Sequence, residues 1–437
     1  KITMNKKKTK ISKEIKMNKK SVRRNYSNQT GITLIALVVT IVVLLILAGV
    51  TINAVFSDSG IIKKAQDAQN KANESIQKDI EQINALENWL NENMGESNND
   101  VNISTLVGKD AVPKNTKAVD TYGNKITIPK GFKVLAHGTE AGSATYTYSG
   151  DTIPAVQDGI VIENGTDKNQ FVWVPVGTIK NKDNTTNTIT LGRYSDFTAI
   201  DGKYTPAQSA ENYNAETPIT ITSGSSSWNS KELSTFRDGS KSNGSENATA
   251  RNLAEFISTS LSNGGYYIAR FEASKTKTTS KIYSKYNQKV LTDKPQPEAA
   301  SLAREMYGEV KENNELIYAS DLVNSYAWDT AIIFIQTYST ETDASSYASK
   351  NKSTSEAYTG KNNDKYCNIW DMSGNVKEWT TEYSTHSYAS YWYPCVHRGG
   401  YYFADRGGAI YYTSYRGNNR TSDCSTSHGL RPLLYVK

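Results

Sequence analysis

The chain has 437 residues, 37% of them hydrophobic and 10% aromatic, which is enough for a packed core and excludes a disordered chain. Its formal net charge is +6, but residues 1–31 carry nine Lys and two Arg against one Glu, or +10, so the remaining 406 residues carry about −4. That remainder has no strongly basic face for nucleic acid, and three cysteines allow at most one disulfide.

Residues 32–52 form an apolar run, ITLIALVVTIVVLLILAGVTI, without a charged residue. As a helix with a rise of about 1.5 Å per residue it is about 31 Å long, which matches the ~30 Å hydrocarbon core of a bilayer. Because the basic residues precede this run, the positive-inside rule places residues 53–437 outside the cytoplasm. The sequence therefore predicts a single-pass protein of the cell membrane with an extracellular C-terminal domain.

The leader before this run ends in glycine. From Met17 it reads MNKKSVRRNYSNQTG, and Gly31 directly precedes Ile32. This arrangement resembles the prepilin-type N-terminus of type IV pilins and pseudopilins, which implies cleavage by a prepilin peptidase between Gly31 and Ile32 and contact with pilus subunits. That family usually has Glu at the fifth mature position, where this chain has Ala36, so filament assembly stays open. An uncleaved signal anchor is the alternative.

Residues 60–90 have an apolar residue every three or four positions between charged and amide side chains, which indicates an amphipathic helix. We therefore expect a pilin-like long helix over residues 32–93, transmembrane at first and then a stalk, behind the basic leader 1–31. A short coiled-coil neck predicts the same pattern. The residues GESNND favour turns and end the helix, and residues 94–125 are interpreted as a linker.

From residue 126 the sequence is β-rich, with short runs of β-branched and aromatic residues bounded by Gly, Asn, Asp and Pro, as in FVWVPVG. Residues 205–250 are rich in Ser, Asn, Thr and Gly, and we interpret them as a polar surface insertion. Helical spacing predicts a helix in residues 252–261 and a core helix over Asp321–Tyr338. The predicted fold class is α+β.

Three motifs near the C-terminus stand in a fixed order: DMSGNVKEW at Asp371–Trp379, RGG at Arg398–Gly400 and GLR at Gly429–Arg431. Upstream, IPKGFKV, FVWVPV, GGYYIARFEAS and SYAWDTA precede them. The series resembles the formylglycine-generating enzyme and sulfatase-modifying-factor family. The resemblance covers residues 126–437 and implies a C-type-lectin-like domain in which the motif arginines have structural roles.

The oxidase members of that family bind copper through two cysteines in the segment that follows the RGG motif. Here residues 401–415 contain no cysteine, since Cys367 and Cys395 lie before that motif and Cys424 lies further on. A thiolate pair suits Cu(I) and a single thiol does not replace it. We therefore expect no copper and predict that the protein is not an enzyme. Cys367 and Cys395 either form one disulfide or stay reduced with Cys424.

Other family members use a His-based iron site. The four histidines of this chain, His137, His386, His397 and His428, show no clustered spacing typical of metal ligands. A lone His is more often a hydrogen-bonded surface or core residue. The histidines therefore give no reason to predict an iron site.

The loop DMSGNVKE carries two carboxylates, Asp371 and Glu378, around Gly374, which allows a tight turn that aims carbonyls inward. Oxygen-only coordination suits Ca²⁺. The family resemblance implies a structural calcium held by Asp371, the carbonyls of Gly374 and Val376, and Glu378. The alternative is that Asn375 and Glu378 only satisfy buried backbone groups.

The recognition segment, Tyr401–Leu430, has five Tyr, many Ser, Thr and Asn, and neither Lys, Glu, Gln, Met nor Trp. Tyr offers large amphipathic contact area at little rotamer cost, and Ser, Gly and Asn offer adaptable hydrogen bonds, as in antibody paratopes. We predict that a ligand is bound by polar and aromatic side chains of this segment, namely Tyr401, Tyr402, Phe403, Asp405, Tyr411, Tyr412, Ser414, Tyr415, Asn418, Asn419, Thr421, Asp423, Ser425 and Ser427.

A lectin-like scaffold that ends in this way also looks like the variable proteins of diversity-generating retroelements, whose rewritten adenine-rich codons yield this composition. A Tyr- and Ser-rich loop set that is not varied fits nearly as well. The combined features predict a membrane-tethered or pilus-associated receptor or adhesin for an extracellular protein or glycan. Two alternatives are an exported formylglycine-generating-type oxidase with an altered metal site and a minor pseudopilin of a secretion system.

Overall fold

The chain divides into two compact units, residues 1–98 and residues 99–437. The computed structural model describes residues 39–44, 71, 100–135, 138–139, 145–146, 154–214, 217–223, 226–239, 246–275, 281–339, 344, 355–361, 364–372, 374–385, 393–403 and 413–437.

In the first unit, residues 39–44 are helical and their side chains are exposed. Among the residues that the structure describes, no helix is long and apolar enough to cross a membrane. The cleavage site at Gly31 and Ile32, Ala36, the stalk, and all but residues 39–44 of the predicted span lie outside the described residues. The pilin-like helix therefore stays a prediction.

The second unit contains three sheets of three or more strands. Their strands are β1 (Val101–Asn102), β2 (Thr116–Val119), β3 (Lys125–Ile128), β4 (Phe132–Val134), β5 (Val161–Asn164), β6 (Gln170–Pro175), β7 (Ile219–Ser223), β8 (Ser226–Lys231), β9 (Gly265–Ala269), β10 (Glu309–Glu312), β11 (Glu315–Leu322), β12 (Lys377–Ser384), β13 (Cys395–Arg398), β14 (Arg416–Asn419), β15 (His428–Leu430) and β16 (Pro432–Val436). Shorter antiparallel pairs join Gly138–Thr139 to Thr145–Tyr146, Gly177–Lys180 to Thr186–Ile189, Gly192–Arg193 to Gln208–Ser209, Ser274–Lys275 to Ile282–Tyr283, and Lys365–Tyr366 to Ile369–Trp370.

The seven-stranded sheet is antiparallel throughout, in the order β10-β11-β16-β9-β6-β5-β4. Its central strand β6 is apolar on both faces, and the four residues from Phe171 to Val174 are fully buried. A continuous apolar run of this kind is expected where both faces of a strand are covered. The FVWVPV motif is therefore part of the hydrophobic core.

The six-stranded sheet carries the C-terminal motifs. Its order is β7-β8-β12-β13-β14, and β15 pairs with β12 in parallel. Strand β12 begins inside the DMSGNVKEW motif, β13 ends at the arginine of RGG, and β15 contains the first two residues of GLR. The three motifs, separate in sequence, are thus adjacent in this sheet.

The second unit also has three α-helices in its described part: α1 (Leu253–Asn263), α2 (Gln296–Glu305) and α3 (Ser325–Tyr338). The α3 helix contacts β6 and β9 of the larger sheet and β12 of the smaller one. All of its residues from Ser325 to Gln336 are buried. It therefore lies between the two sheets, as its apolar composition requires.

Two 3-10 turns, Ile103–Thr105 and Val156–Asp158, complete the described elements.

The segment predicted to be a linker, 94–125, is folded with the domain from residue 100 onward. There β1 pairs with β2, β2 pairs with β3, and Ile103 and Ala118 are buried in the core. Because the segment is mostly polar, the sequence did not indicate that these few apolar residues are buried in the core.

The segment predicted to be a surface insertion, 205–250, also differs from expectation. It supplies β7 and β8 to the six-stranded sheet, and it buries Ser230 and Glu232 completely. Polar composition is a poor guide here because these side chains have buried hydrogen-bond partners.

The predicted helix Asp321–Tyr338 is confirmed from Ser325, while Asp321 and Leu322 end β11.

The N-cap of α3 gives a stability prediction. The side chain of Asn324 accepts a hydrogen bond of 2.9 Å from the Ala327 N–H, and Asn324 is buried. We expect Asn324→Ala to lower the free energy of unfolding by about 1–2 kcal/mol. Urea unfolding of the purified chain measures this loss. An unchanged unfolding midpoint would show that the cap does not hold the start of α3.

Candidate ligand-binding surface

The two faces of the six-stranded sheet differ in chemistry. Across β12 and β13, Trp379 stands opposite His397 and Glu378 opposite Arg398, and across β13 and β14, Arg398 stands opposite Arg416. Successive residues of a strand point to opposite faces. One face, the arginine face, therefore carries Glu378, Arg398 and Arg416. The other, the aromatic face, carries Trp379 and His397.

The arginine face holds a cluster of five buried charges, Arg193, Asp329, Glu382, Arg398 and Arg416, which we call the arginine cluster. Arg193 Nη2 is 2.8 Å from Glu382 Oε1, and Arg416 Nε is 3.0 Å from Glu382 Oε2. Arg416 Nη2 is 2.6 Å from Asp329 Oδ2, and Arg398 donates to the other oxygen of Asp329. The cluster thus links α3 to β12, β13 and β14.

The protonation of this cluster follows from its neighbours. Burial raises the pKa of Glu382, but Arg416, Arg193 and Arg398 outweigh burial and lower that pKa to about 2. Burial and the charge of Arg416 lower the pKa of Arg398 to about 10. Burial lowers the pKa of Arg416, but the charges of Asp329 and Glu382 outweigh burial and raise it, so Glu382, Arg398 and Arg416 are all charged near neutral pH. Removing one of them would leave an uncompensated buried charge.

Glu232 lies beside the cluster and behaves differently. Its Oε1 accepts hydrogen bonds from the N–H and the hydroxyl of Ser325 at 2.7 and 2.8 Å, and its Oε2 accepts one from Thr381 at 2.9 Å. Burial is the largest influence and raises its pKa to about 7, against the opposing charge of Arg193. Glu232 therefore titrates near neutral pH.

A second buried pair involves the predicted calcium ligands. Arg431 Nε is 2.9 and 3.0 Å from the two carboxylate oxygens of Glu378, and Arg431 Nη2 is 2.6 Å from Oε1. Asp371 accepts a 3.3 Å hydrogen bond from the Gly360 N–H, and the Val376 N–H donates to Glu272 at 3.0 Å. Glu378 is thus engaged by a guanidinium on both oxygens.

That arrangement bears on calcium. Within the part of the chain that the structure describes, no group of three or more His, Cys, Asp or Glu side chains is arranged to hold a metal ion. An ion at Glu378 would compete with Arg431, which already engages both of its carboxylate oxygens. Asn375 accepts a hydrogen bond from the Ala357 N–H at 2.7 Å, which matches the structural alternative for that residue. Calcium at Asp371, Gly374, Val376 and Glu378 stays a prediction.

The aromatic face carries a cluster that the sequence did not indicate. The His428 ring stacks on Trp379 with centroids 4.7 Å apart, and the His397 ring meets His428 edge-on at 4.8 Å. Tyr415 lies 5.7 Å from His397. Burial, with the charge of Lys377 as a second cause, lowers the pKa of His428 to about 3. Burial and the neighbouring His428 also lower the pKa of His397, so both rings are neutral at physiological pH.

Lys377 stands at the rim of this cluster. Its Nζ lies 4.7 Å from the centre of the Tyr401 ring and 5.6 Å from that of Tyr415, within cation–π distance of both. Its backbone pairs with His428 across β12 and β15. Burial lowers the pKa of Lys377. The side chain is only partly buried and still reaches solvent.

The described part of the recognition segment lies over this face. Residues with partly buried side chains are Tyr401, Tyr402, Ser414, Tyr415, Asn418, Asn419, Asp423, Ser425 and Ser427. Phe403 is exposed, whereas Thr421 is buried and is a poor candidate for ligand contact. Asp405, Tyr411 and Tyr412 lie outside the described residues.

Several hydrogen bonds join this segment to itself, to the preceding loop and to the sheet. The Tyr402 N–H donates to the Asn375 carbonyl at 2.9 Å, and the Tyr402 hydroxyl lies 3.4 Å from Thr426 Oγ1. Asn418 Nδ2 donates to Ser384 at 3.2 Å. Ser425 and Ser427 share a 3.0 Å hydrogen bond. Tyr415 and Asn419 thus lie on the aromatic face beside His397 and His428, whereas Asn418 lies on the face of Arg416.

The cysteines are unpaired in the structure, which matches the fully reduced alternative. Burial raises the pKa of Cys367, with a further contribution from Asp158, and burial raises that of Cys395 well above its ordinary value. Cys424 is exposed within the recognition segment. Cys395 is therefore shielded, Cys367 is partly buried with a raised pKa that disfavours its thiolate, and Cys424 is open to reagents.

Sequence reasoning missed the residues that support this surface: Arg193, Glu232, Asp329, Glu382 and Arg416. Asp329 alone gave a signal, since it is a carboxylate within the otherwise apolar α3. The expectation that Arg398 and Arg431 are structural agrees with their complete burial in ion pairs.

These residues can be compared with known proteins. Residues 239–434, which include the whole of β12 to β15, match the model of the family described as Sulfatase-modifying factor enzyme 1-like domain. The predicted resemblance is confirmed over those residues, and the match does not extend to the predicted start of the domain at residue 126.

Three solved structures are similar to this chain at low identity. "Treponema denticola variable protein 1" is 14% identical over 50% of this chain and 99% of that chain, with a TM-score of 0.26. "Crystal Structure of CarF" is 14% identical over 40% and 87%, with a TM-score of 0.27, and "Major Tropism Determinant U1 Variant" is 11% identical over 77% and 98%, with a TM-score of 0.23. TM-scores of this size carry no functional inference. No curated protein matches the sequence.

The arginine cluster gives a second prediction. Glu382→Gln removes a buried carboxylate that faces three arginines, and we expect it to lower the free energy of unfolding by about 3–5 kcal/mol. Glu309→Gln is the matched control, because its partner Lys311 is exposed, and we expect a loss below about 1 kcal/mol there. Urea unfolding measures both. Equal losses in the two variants would contradict the structural role of the cluster.

Glu232 gives a prediction on pH. Its folded pKa of about 7 exceeds the ordinary value of 4.5, so the native state binds more protons than the unfolded state between these values. Its stabilising contribution is full below pH 4.5 and is lost as the pH rises through 7. Relative to Glu232→Gln, the wild type should lose stability over this range, by at most about 1.4 kcal/mol per pH unit. A difference that does not change with pH would refute the raised pKa.

Proposed function

We propose that this protein is a ligand-binding receptor or adhesin that contacts its ligand through the recognition segment. One observation supports this proposal above the others. The segment holds partly buried side chains, among them Tyr401, Tyr415 and Asn419, over one face of a sheet whose opposite face is held by the arginine cluster. A rigid support beneath adaptable, aromatic-rich side chains is the arrangement that binding surfaces require.

The ligand that we propose is an extracellular protein or glycan. Tyr401 and Tyr402 lie 5.5 Å apart in an edge-to-face pair and sit beside exposed Phe403, which together form a compact aromatic patch. Aromatic rings supply contact area at little entropic cost, and the serines and asparagines beyond them supply hydrogen bonds. We propose no enzymatic role, because the oxidase cysteine pair is missing from residues 401–415.

We further propose that the protein is displayed on the cell surface. The apolar run 32–52 and the basic leader support a membrane anchor, and cleavage after Gly31 and association with pilus subunits are parts of the same proposal. The composition of the recognition segment also supports its diversification by a retroelement. Diversification is tested in the neighbouring DNA, where we expect a near-identical repeat of the segment's coding sequence beside a reverse transcriptase gene.

Binding is tested with the labelled full chain on an array of defined glycans and on a panel of purified extracellular proteins. For a probe that binds, we expect Tyr402→Ala with Phe403→Ala to weaken affinity at least about tenfold, because partly buried Tyr402 and exposed Phe403 both offer aromatic contact area. Tyr122→Ala is the control, since Tyr122 is a partly buried tyrosine in the turn between β2 and β3. Binding that tolerates the aromatic changes, or oxidation of a substrate cysteine peptide by the chain, would contradict the proposal.

Display is tested through the exposed thiol. On intact cells that produce the full chain, we expect a membrane-impermeant maleimide to label Cys424, because it is exposed, whereas Cys395 is buried and Cys367 is partly buried with a raised pKa. Cys424→Ser should remove most of the label. Labelling of the wild type only after the cells are made permeable would place the domain inside the cell and overturn the display proposal.

A further inference from the structure

Among the described residues, Lys377 is held against two aromatic rings and has no carboxylate as an ion-pair partner. Partly buried Lys133 and Lys182 form ion pairs at 3.2 and 3.1 Å with Glu163 and Asp158. The buried arginines of the arginine face are paired as well. For Lys377, the contacts with charged or π groups in the described residues are the rings of Tyr401 and Tyr415.

The carboxylates nearest to Lys377 in sequence do not serve it. Glu378 and Glu382 lie on the same strand but point to the arginine face, where Arg431 and the arginine cluster bind them. Lys377 points to the aromatic face, which also carries the neutral rings of Trp379, His397 and His428. A positive charge is therefore held among aromatic rings with no negative group from the described residues.

Polar groups without partners converge beside it. His397 is buried, and neither of its ring nitrogens has a hydrogen-bond partner in the described part of the chain. A Cβ atom added at Gly417 would lie 2.6 Å from His397 Nε2 and 2.7 Å from the Tyr415 hydroxyl. His397 Nε2 and the Tyr415 hydroxyl therefore both pack against the backbone of Gly417, where even a methyl group would clash with them.

We infer that Lys377, with the Tyr401 and Tyr415 rings beside it and His397 beneath, forms a subsite for an anionic oxygen group of the ligand: a carboxylate, a sulfate or a phosphate. The inference rests on the proposed function and adds the chemical class of one ligand group. Lys377 supplies the charge, and the tyrosine hydroxyl and the imidazole supply directed hydrogen bonds. Charge-assisted hydrogen bonds are stronger than neutral ones, especially where water is partly excluded.

A neutral ligand group suits this place less well. It would leave the ammonium group without a counter-ion in a partly dehydrated position, which is unfavourable. A cationic group would be repelled by Lys377 at short range. The tyrosine rings hold the lysine in place through their π faces and leave its N–H donors free for an anion.

The test follows Lys377 itself and needs no known ligand. The full chain in detergent is treated with a water-soluble acylating reagent in sodium sulfate or sodium acetate, and in sodium chloride of equal ionic strength, and acylated lysines are mapped by mass spectrometry. We expect both oxyanions to protect Lys377 in a saturable way, because bound anion covers its Nζ. Lys311, whose partner is Glu309 on exposed β10, is the internal control. Equal labelling of Lys377 in sulfate, acetate and chloride would overturn the inference.

A variant gives an independent measurement. We expect Lys377→Met to bind an acidic probe from the array at least about tenfold more weakly, and Lys377→Arg to retain most of the affinity. A probe that Lys377→Met binds as tightly as the wild type, while Tyr402→Ala loses it, overturns the subsite and leaves the proposed function intact. If sulfate protects Lys377 but the affinity for every probe is unchanged by Tyr402→Ala with Phe403→Ala, the proposed function is overturned instead.

Discussion

The burial of three arginines against two carboxylates is the interaction on which this domain depends. Each charge alone would cost several kcal/mol to remove from water, so the cluster is stable only when all of its members meet in one geometry. Those members come from α3, β12, β13 and β14 and from Arg193 upstream of them. The strands cannot slide by a residue without moving every arginine to the wrong side of the sheet.

The alternation of strand residues then separates support from recognition. The same strands place Glu378, Arg398 and Arg416 on the arginine face and Lys377, Trp379 and His397 on the aromatic face. Changes in side chains of the aromatic face leave the ion pairs of the arginine face in place. Under the proposed function, side chains on the aromatic face therefore tolerate changes in chemistry at little cost to the fold, as long as Arg416 keeps its ion pairs with Asp329 and Glu382.

The sequence made several features predictable and hid others for physical reasons. Strand β6 and helix α1 followed from apolar periodicity, and the motif order identified the domain, because local patterns and short motifs are visible in one dimension. The arginine cluster was not visible, since its pairs join residues as distant as Arg193 and Glu382. The contact of His397 with His428 was missed for the same reason: 31 positions separate them in sequence, and only the pairing of β12 with both β13 and β15 brings them together. Polar stretches such as 205–250 misled because burial of Ser230 and Glu232 depends on partners far along the chain.

One hydrogen bond has a consequence for how the surface can change. The Gly399 N–H donates to the Tyr415 carbonyl at 3.1 Å, so the chain leaves the sheet and returns to it at neighbouring points. When the two ends of a loop are fixed in this way, doubling its length costs only about 0.6 kcal/mol in closure entropy. Insertions and deletions between these two residues are therefore cheap, and the protein can gain reach or new curvature there as readily as it can exchange one side chain for another.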